Sequence, residues 1–147
     1  MPSPVEHQGL ALNAAWQAQQ GDLYYDKLLS IPRGYSDDDT EGDLDGRNNL
    51  LLTAEYHFPI AFTDGGPGLY LYHSDLVKGS LFVDYGAGWD GGFDWQEWNS
   101  RARTSIGGTL TNRCVLAAIL PIEVGFVFGY KTHENEGFLN FLLKLQL

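Results

Sequence analysis

The sequence of 147 residues contains a single cysteine, Cys114, which excludes an intrachain disulfide. The histidines are scattered along the chain, and neither they nor Cys114 have the spacing of a zinc site. They are His7, His57, His73 and His133. We therefore interpret Cys114 as a small residue within a strand, and we expect no bound metal and no cofactor.

Positive charge is also scarce. Nine Lys and Arg residues against nineteen Asp and Glu residues give a net charge of −10 and a pI near 4.5. Phosphate groups bind basic patches, and nine dispersed cations do not form one, so the composition excludes a nucleic-acid partner. The 44% of hydrophobic residues, with 14% aromatic, are nevertheless enough for a folded core.

Long apolar runs are missing as well. The longest, residues 115–122, is too short for a transmembrane helix, which needs about 18 or more apolar residues. Residues 1–8 lack the basic start and apolar stretch of a secretory signal. The expectation is either that the protein stays inside the cell or that the sequence begins partway through a longer chain.

Six segments do alternate between apolar and other residues with a period of two, which is typical of β-strands. The predicted strands are residues 9–19, 47–60, 79–89, 102–119, 122–130 and 139–147. The predicted connections are a long segment at 20–46, a turn-rich connector at 61–78, a loop at 90–100, a tight turn at Leu120-Pro121 and a polar loop at 131–137.

The two faces of these strands carry different residues. The apolar parity has no Asp, Glu, Lys or Arg, and the opposite parity contains Glu55, Asp84, Arg103, Arg113, Glu123 and Lys144. An Arg or Lys facing the middle of a bilayer costs about 2 to 4 kcal/mol, so the segregation fits an antiparallel transmembrane β-barrel with a polar lumen. A soluble sandwich alternates in the same way. Glycines on the charged parity and aromatic residues near strand ends favour the barrel.

The acidic segment at 36–45 has the spacing of the first half of a calcium loop. The matching positions are Glu41, Asp43, Asp45 and Gly46. Position twelve of that register is Leu52, where a bidentate Glu is required, and the flanks alternate as strands. We therefore interpret the segment as a solvated loop.

Residues 86–91 match the dinucleotide-binding pattern G-x-G-x-x-G after a strand, but no helical periodicity follows to present an N-terminus to a pyrophosphate. We interpret this match as chance.

The loop that follows is rich in tryptophan and acid. Its acids are Asp90, Asp94 and Glu97, among Trp89, Trp95 and Trp98. They suggest either a sugar-cleaving carboxylate pair or an aromatic girdle leading into an acidic loop. We favour the girdle, because acids a few residues apart in a loop are not a positioned pair.

The strand at 79–89 sets Asp84 among small and apolar neighbours on its face, so this acid must be solvated or paired. Four motifs in the chain bear on its partner. They are Pro32-Arg33-Gly34-Tyr35, Glu55-Tyr56-His57-Phe58-Pro59, Phe82-Val83-Asp84-Tyr85-Gly86 with Trp89, and Ser105-Ile106-Gly107-Gly108 with the Pro121 turn. In this order they resemble the outer-membrane surface-antigen superfamily, which includes the BamA and TamA assembly factors. A similar barrel occurs in TolB-like propeller and patatin-like outer-membrane proteins.

The resemblance implies that Arg33 enters the barrel lumen and pairs with Asp84, with Glu55 nearby. The plain alternative is that Arg33 and Asp84 are both solvated. The resemblance further implies a non-enzymatic protein of the outer membrane, in contact with its lipid, that assembles or translocates other proteins. The remaining motif residues of this lumen site are Gly34, Tyr35 and Gly86.

Six strands are fewer than the eight of the smallest membrane barrels. We therefore expect residues 1–147 to be the C-terminal part of one outer-membrane β-barrel domain, with a lumen-folded loop at about 20–46, completed by another polypeptide or by self-association. The last residues, Lys144-Leu145-Gln146-Leu147, depart from the aromatic terminus usual in the family. The second hypothesis is a soluble antiparallel β-sandwich or barrel that binds a ligand such as a carbohydrate through the Trp-rich loop 89–98.

Overall fold

The computed structural model describes residues 8–18, 31–35, 47–66, 72–92, 94–117 and 119–145. Most of the predicted 20–46 loop lies outside the described residues, including the positions with calcium-loop spacing, Glu41, Asp43, Asp45 and Gly46. Residues 31–35 are the described part of that loop.

In the part of the chain that the structure describes, six antiparallel strands form one open sheet in the order of the sequence. The elements are β1 (Gly9–Ala18), β2 (Asn48–Gly65), β3 (Tyr72–Trp89), α1 (Trp95–Arg101), β4 (Arg103–Leu116), β5 (Leu120–Lys131) and β6 (Glu136–Leu145). The prediction of an all-β chain with six antiparallel strands is confirmed. Within the described residues, β1 and β6 each pair with one strand only and form the two edges of the sheet.

The predicted bounds of the connector at 61–78 are wrong, because β2 continues to Gly65 and β3 begins at Tyr72. These strands stay paired through two irregularities that follow Pro59, and β3 has another against β4 after Ser74. A β-bulge inserts a residue and shifts the alternation of faces. A period-two pattern therefore cannot be followed through this part of the hairpin.

The predicted loop at 90–100 contains the helix α1. Asp94 caps it, since its side chain accepts a hydrogen bond of 2.8 Å from the backbone N–H of Gln96. The helix has only seven residues, which is about two turns. This length is too short for a 3.6-residue periodicity to be recognised in the sequence.

The predicted turn at Leu120-Pro121 lies slightly earlier in the structure, and both residues belong to β5. Ala117 adopts a positive φ of 50°, and the N–H of Ile119 donates to the carbonyl of Leu116 at 3.1 Å. Pro121 is thus the second residue of a strand, where its missing N–H does little harm.

The strand register assigns each residue to one of two faces. One row of paired residues consists of Asn13, Thr53, Asp84, Ser105, Lys131 and Glu136. The adjacent row consists of Leu12, Ala54, Val83, Ile106, Tyr130 and Gly137. Paired residues share a face, and successive residues of a strand lie on opposite faces. We call the side of the first row the charged face and the side of the second the apolar face.

The charged face is the covered one. Asp84 is only 1% exposed, and Ser105 and Lys131 are also buried. On the apolar face, by contrast, Leu12 is 73% exposed and Leu81 is exposed as well. A half-buried sheet of a soluble protein buries its apolar face. The distribution of exposure in this sheet is the reverse.

Cys114 of β4 is an exception on the apolar face, because it pairs with Ile122 of β5 and is 0% exposed. We predict that a thiol reagent labels native Cys114 at least about 100-fold more slowly than the urea-unfolded chain, which corresponds to an opening free energy of about 3 kcal/mol. The control is Thr132→Cys in a Cys114→Ala background, since residue 132 is exposed in the β5–β6 turn. Equal labelling rates for Cys114 in the native and unfolded chain would contradict its burial.

Candidate functional site

Residues 31–35 lie across the charged face. Arg33 contacts Glu55 of β2 and Asp84 of β3, and Gly34 lies against Phe138 of β6. Strands β2 and β6 are four strand spacings apart, which is roughly 19 Å in a flat sheet. Because two successive residues contact both strands, the sheet curls around the segment.

The segment fits closely against the strands. The N–H of Tyr35 donates to the carbonyl of Pro32 at 3.2 Å, which closes a turn, and Gly34 has a positive φ of 90°. A Cβ atom on Gly34 would overlap the ring of Phe138, and one on Gly86 would lie 2.8 Å from the ring of Pro32. Both glycines therefore permit an approach that a larger residue prevents.

Arg33 is held from two sides. Its Nε is 2.9 Å from Asp84 Oδ2 and its Nη2 is 3.3 Å from Oδ1, so the pair is bidentate. Its backbone N–H also donates to Asp84 Oδ2 at 3.1 Å. On the other side, Nη2 donates to Glu55 Oε2 at 3.1 Å. We call these contacts of Arg33, Asp84 and Glu55 the Arg33 clamp.

Two further residues complete the surroundings of the clamp. Ser80 donates its hydroxyl to Glu55 Oε1 at 2.6 Å, so both oxygens of Glu55 accept a hydrogen bond. The guanidinium carbon of Arg33 lies 3.8 Å from the centroid of the buried Phe82 ring, a cation–π contact. The carboxylates thus hold a cation, and Glu55 has no free oxygen positioned as a general base.

Tyr35 fixes the other end of the segment. Its hydroxyl donates to the carbonyl of Thr104 in β4 at 3.2 Å, and Lys131 Nζ lies 5.5 Å from its ring centroid.

Burial on its own lowers the pKa of Arg33, but the hydrogen bonds to Asp84 and Glu55 outweigh this and raise the pKa above its usual value. Burial also raises the pKa of Tyr35. At neutral pH Arg33 is therefore charged and Tyr35 is protonated, as these contacts require.

A cavity of about 360 Å³ adjoins the clamp on the charged face. It is lined from β2 to β6, with His57 at one side and Lys144 at the other, which agrees with a curled sheet. Lys78 pairs with the buried Glu123 at 2.9 Å, and Lys144 is the register partner of Glu123. Among the described residues, no group of three or more His, Cys, Asp or Glu is placed to hold a metal ion.

The Trp-rich loop 89–98 contributes mainly to packing. Trp89 and Trp98 are buried with Ala87, and the rings of Trp98 and Tyr85 meet edge to face at 5.2 Å. Trp95 is 62% exposed. The tryptophans thus dock α1 onto the end of β3, on the apolar face.

Two acids of this loop, Asp90 and Asp94, have structural partners. Asp94 caps α1, and Asp90 accepts a hydrogen bond of 3.0 Å from the backbone N–H of Arg47. Contrary to the sequence-based expectation, a helix does follow the glycine pattern at 86–91. Gly86 and Gly88, however, belong to β3 and pair with residues of β2, so they form no phosphate-binding loop.

Comparisons with protein-family models, curated proteins and solved structures found no match to this chain. In the described part of the chain, no helix has the length and apolar character needed to span a membrane.

The structure brings together all six residues that the sequence singled out. Arg33, Asp84 and Glu55 are in direct contact, and Gly34, Tyr35 and Gly86 lie around them, as described above. Sequence reasoning missed Ser80, Thr104 and Phe138, and it named Pro32 and Phe82 in the motifs without assigning them a contact. The β2–β3 register brings Ser80 and Phe82 beside Glu55, so correct pairing of that hairpin would have indicated both. No local signal marks Phe138.

We predict that Arg33→Ala and Asp84→Ala each lower the free energy of unfolding by about 3 kcal/mol, since the first leaves the buried Asp84 without a cation and the second removes the bidentate partner of Arg33. The double variant should lose less than the sum of the two, because the residues interact directly. Urea unfolding measures the change in stability. The rate of protease cleavage within residues 20–46 measures the effect of each variant on that segment.

The matched control for these variants is the pair of Arg113 and Asp75, two residues that form a hydrogen-bonded ion pair whose side chains are 47% and 42% exposed. Arg113→Ala should cost less than about 1 kcal/mol. Equal protease sensitivity of residues 20–46 in the wild type and in Arg33→Ala would contradict the role of the clamp.

A second prediction concerns Gly34→Ala. It should cost about 2 to 5 kcal/mol, from the positive φ and from overlap with Phe138. Gly91→Ala is the control, because Gly91 also has a positive φ, 75°, but has open space around it. We expect it to cost only about 1 to 2 kcal/mol in the same unfolding assay. Equal costs would show that the contact with Phe138 is unimportant.

Proposed function

We propose that this chain is an outer-membrane β-barrel protein of the surface-antigen type, with its apolar face toward lipid and its charged face lining the lumen. Its role is in the assembly or translocation of outer-membrane proteins. The observation that carries the proposal is the reversed burial, in which Asp84 and its neighbours are covered while the apolar face is exposed. That is the arrangement of a sheet whose outer solvent is hydrocarbon.

The energy of the apolar face supports a lipid environment. More than ten large apolar side chains are exposed on it, and fully burying one is worth about 1.5 to 3 kcal/mol. Leaving that many half exposed to water forfeits on the order of 10 kcal/mol. This is comparable with the whole stability of a typical domain, about 5 to 15 kcal/mol. This cost favours an apolar medium over the face.

The strand lengths fit a bilayer. A tilted transmembrane strand needs about 9 to 11 residues. The two shortest strands, β1 and β6, have ten residues each, and β4 and β5 have fourteen and twelve. Every strand is thus long enough to cross.

The edges of the sheet require partners in this setting. Unpaired backbone groups in hydrocarbon cost several kcal/mol each, so an open sheet cannot remain in a membrane. In the proposed function the edges at β1 and β6 pair with strands from another polypeptide or from another copy. The same backbone pairing is the means by which a client strand is bound and handed into the membrane. The Arg33 clamp holds residues 31–35 inside the lumen and stabilises the curl of the sheet during such exchange.

Two adjacent residues of β6 test the proposal. Leu139, on the apolar face, is 69% exposed, and Asn140, on the charged face, is exposed too. In a soluble protein, Arg at either position should change stability by no more than about 0.5 kcal/mol. In a membrane barrel, Leu139→Arg should cost about 2 to 4 kcal/mol and reduce insertion into lipid vesicles, whereas Asn140→Arg should do neither.

The companion measurement is the native mass of the chain purified in mild detergent, with every co-purifying polypeptide identified. A detergent-dependent complex supports the proposal. A soluble monomer of 16.3 kDa that tolerates both arginine substitutions would overturn it and turn attention to a ligand at the exposed Trp95.

A further inference from the structure

We propose that the partner at the open edges is a second copy of this chain, with β6 of one copy paired antiparallel to β1 of the next, so that a ring of copies closes the barrel. This inference rests on the proposed membrane-barrel function and specifies its partner. It starts from the two sheet edges, which have no further strand neighbour among the described residues.

The direction of the strands permits this closure. All five pairings are antiparallel and the number of strands is even, so β6 runs opposite to β1. A second copy placed beside β6 therefore continues the antiparallel sheet with its own β1. Twelve strands from two copies exceed the minimum of about eight for a membrane barrel. Head-to-tail contacts of this kind close into a ring when the rotation between copies allows it.

The two faces restrict how the edges can pair. Both edge strands have ten residues, but complete overlap would set Glu136 of the charged face opposite Ala18 of the apolar face. A shift by one residue in either direction matches the faces again and keeps nine pairs. One shift pairs Leu142 with Asn13, and the other pairs Asn140 with Asn13. Face matching alone does not choose between them.

The tilt of the strands favours the pairing of Leu142 with Asn13. Within one copy, successive strand pairs connect Asn13 of β1 to Glu136 of β6. In this register Glu136 lies opposite residue 19 of the next copy, which is six positions beyond residue 13. A shift of about six residues over six strands corresponds to a tilt of about 35°, using a rise of 3.4 Å and a spacing of 4.8 Å. The other register gives about 25°. Membrane barrels have tilts of about 35 to 45°.

The row already moves in this sense within one copy. Asn13 lies in the middle of β1, whereas Lys131 and Glu136 lie at the hairpin end of β5 and β6. In the next copy, the row of paired residues continues to shift in the same direction along the strands.

The side chains at this junction are compatible. Phe141 falls opposite Ala14 on the apolar face, and Lys144 falls opposite Ala11 on the charged face, so that a long side chain meets a small one in each pair. Strand β1 carries no charged residue, and the pairing therefore brings no like charges together. Because the faces match, the outward N–H and C=O groups of the two edges also match, as in the strand pairs within the sheet.

Cysteine cross-linking tests both the partner and the register. In a Cys114→Ala background, one variant carries Asn13→Cys with Leu142→Cys, and its matched control carries Asn13→Cys with Asn140→Cys. After mild oxidation in detergent, we expect disulfide-linked multiples of 16.3 kDa on a non-reducing gel. The 13/142 variant should give at least about tenfold more product than the 13/140 variant, because only directly opposed Cβ atoms reach disulfide distance.

The other outcomes each overturn a defined statement. Greater cross-linking of the 13/140 variant overturns the register. A detergent-dependent complex with a different polypeptide, without cross-linked copies, overturns the second copy as partner and leaves the proposed function standing. A detergent-solubilised monomer without cross-links also overturns the inference. A monomer that is soluble without detergent overturns the proposed function as well.

Discussion

The ion pair between Arg33 and Asp84 is the interaction on which the charged face depends. An acid buried to this extent is stable only with a charged or hydrogen-bonding partner, and Asp84 has both the side chain and the backbone N–H of Arg33. Through Glu55 and Ser80 the same guanidinium is tied to two strands at once. The covering of the charged face by residues 31–35 follows from this pairing.

The reversed burial in turn determines which environments suit the chain. The charged face contains paired ions such as Lys78 with Glu123 and needs no apolar cover. The apolar face, with Leu12 and Leu139 among its exposed side chains, does need one. In the proposed function, a bilayer supplies this cover without a second protein layer, and closure of a barrel supplies the missing strand pairs. The need for an apolar cover and the need for partners at the sheet edges are therefore two parts of one proposal.

Sequence alone was sufficient for the parts of the fold that follow local alternation. The six strands and the segregation of charge were predictable because a strand's side chains alternate without interruption over most of each segment. The far ends of β2 and β3 were not, since irregularities after Pro59 and Ser74 shift the alternation. The helix α1 was missed because seven residues show no period. At the site, motifs indicated Arg33, Asp84 and Glu55, whereas Phe138, which comes from β6, is contributed by tertiary structure that no nearby residue signals.

The span of the Arg33 clamp also bears on how accurately the sheet folds. Arg33 and Asp84 are 51 positions apart in the chain, and Gly34 reaches as far as Phe138 of the last strand. A slip of one residue in β3 would turn Asp84 to the opposite face and leave Arg33 without its bidentate partner. Residues 31–35 can therefore dock only on a correctly aligned sheet. The clamp therefore stabilises only the sheet in which β3 has its native register.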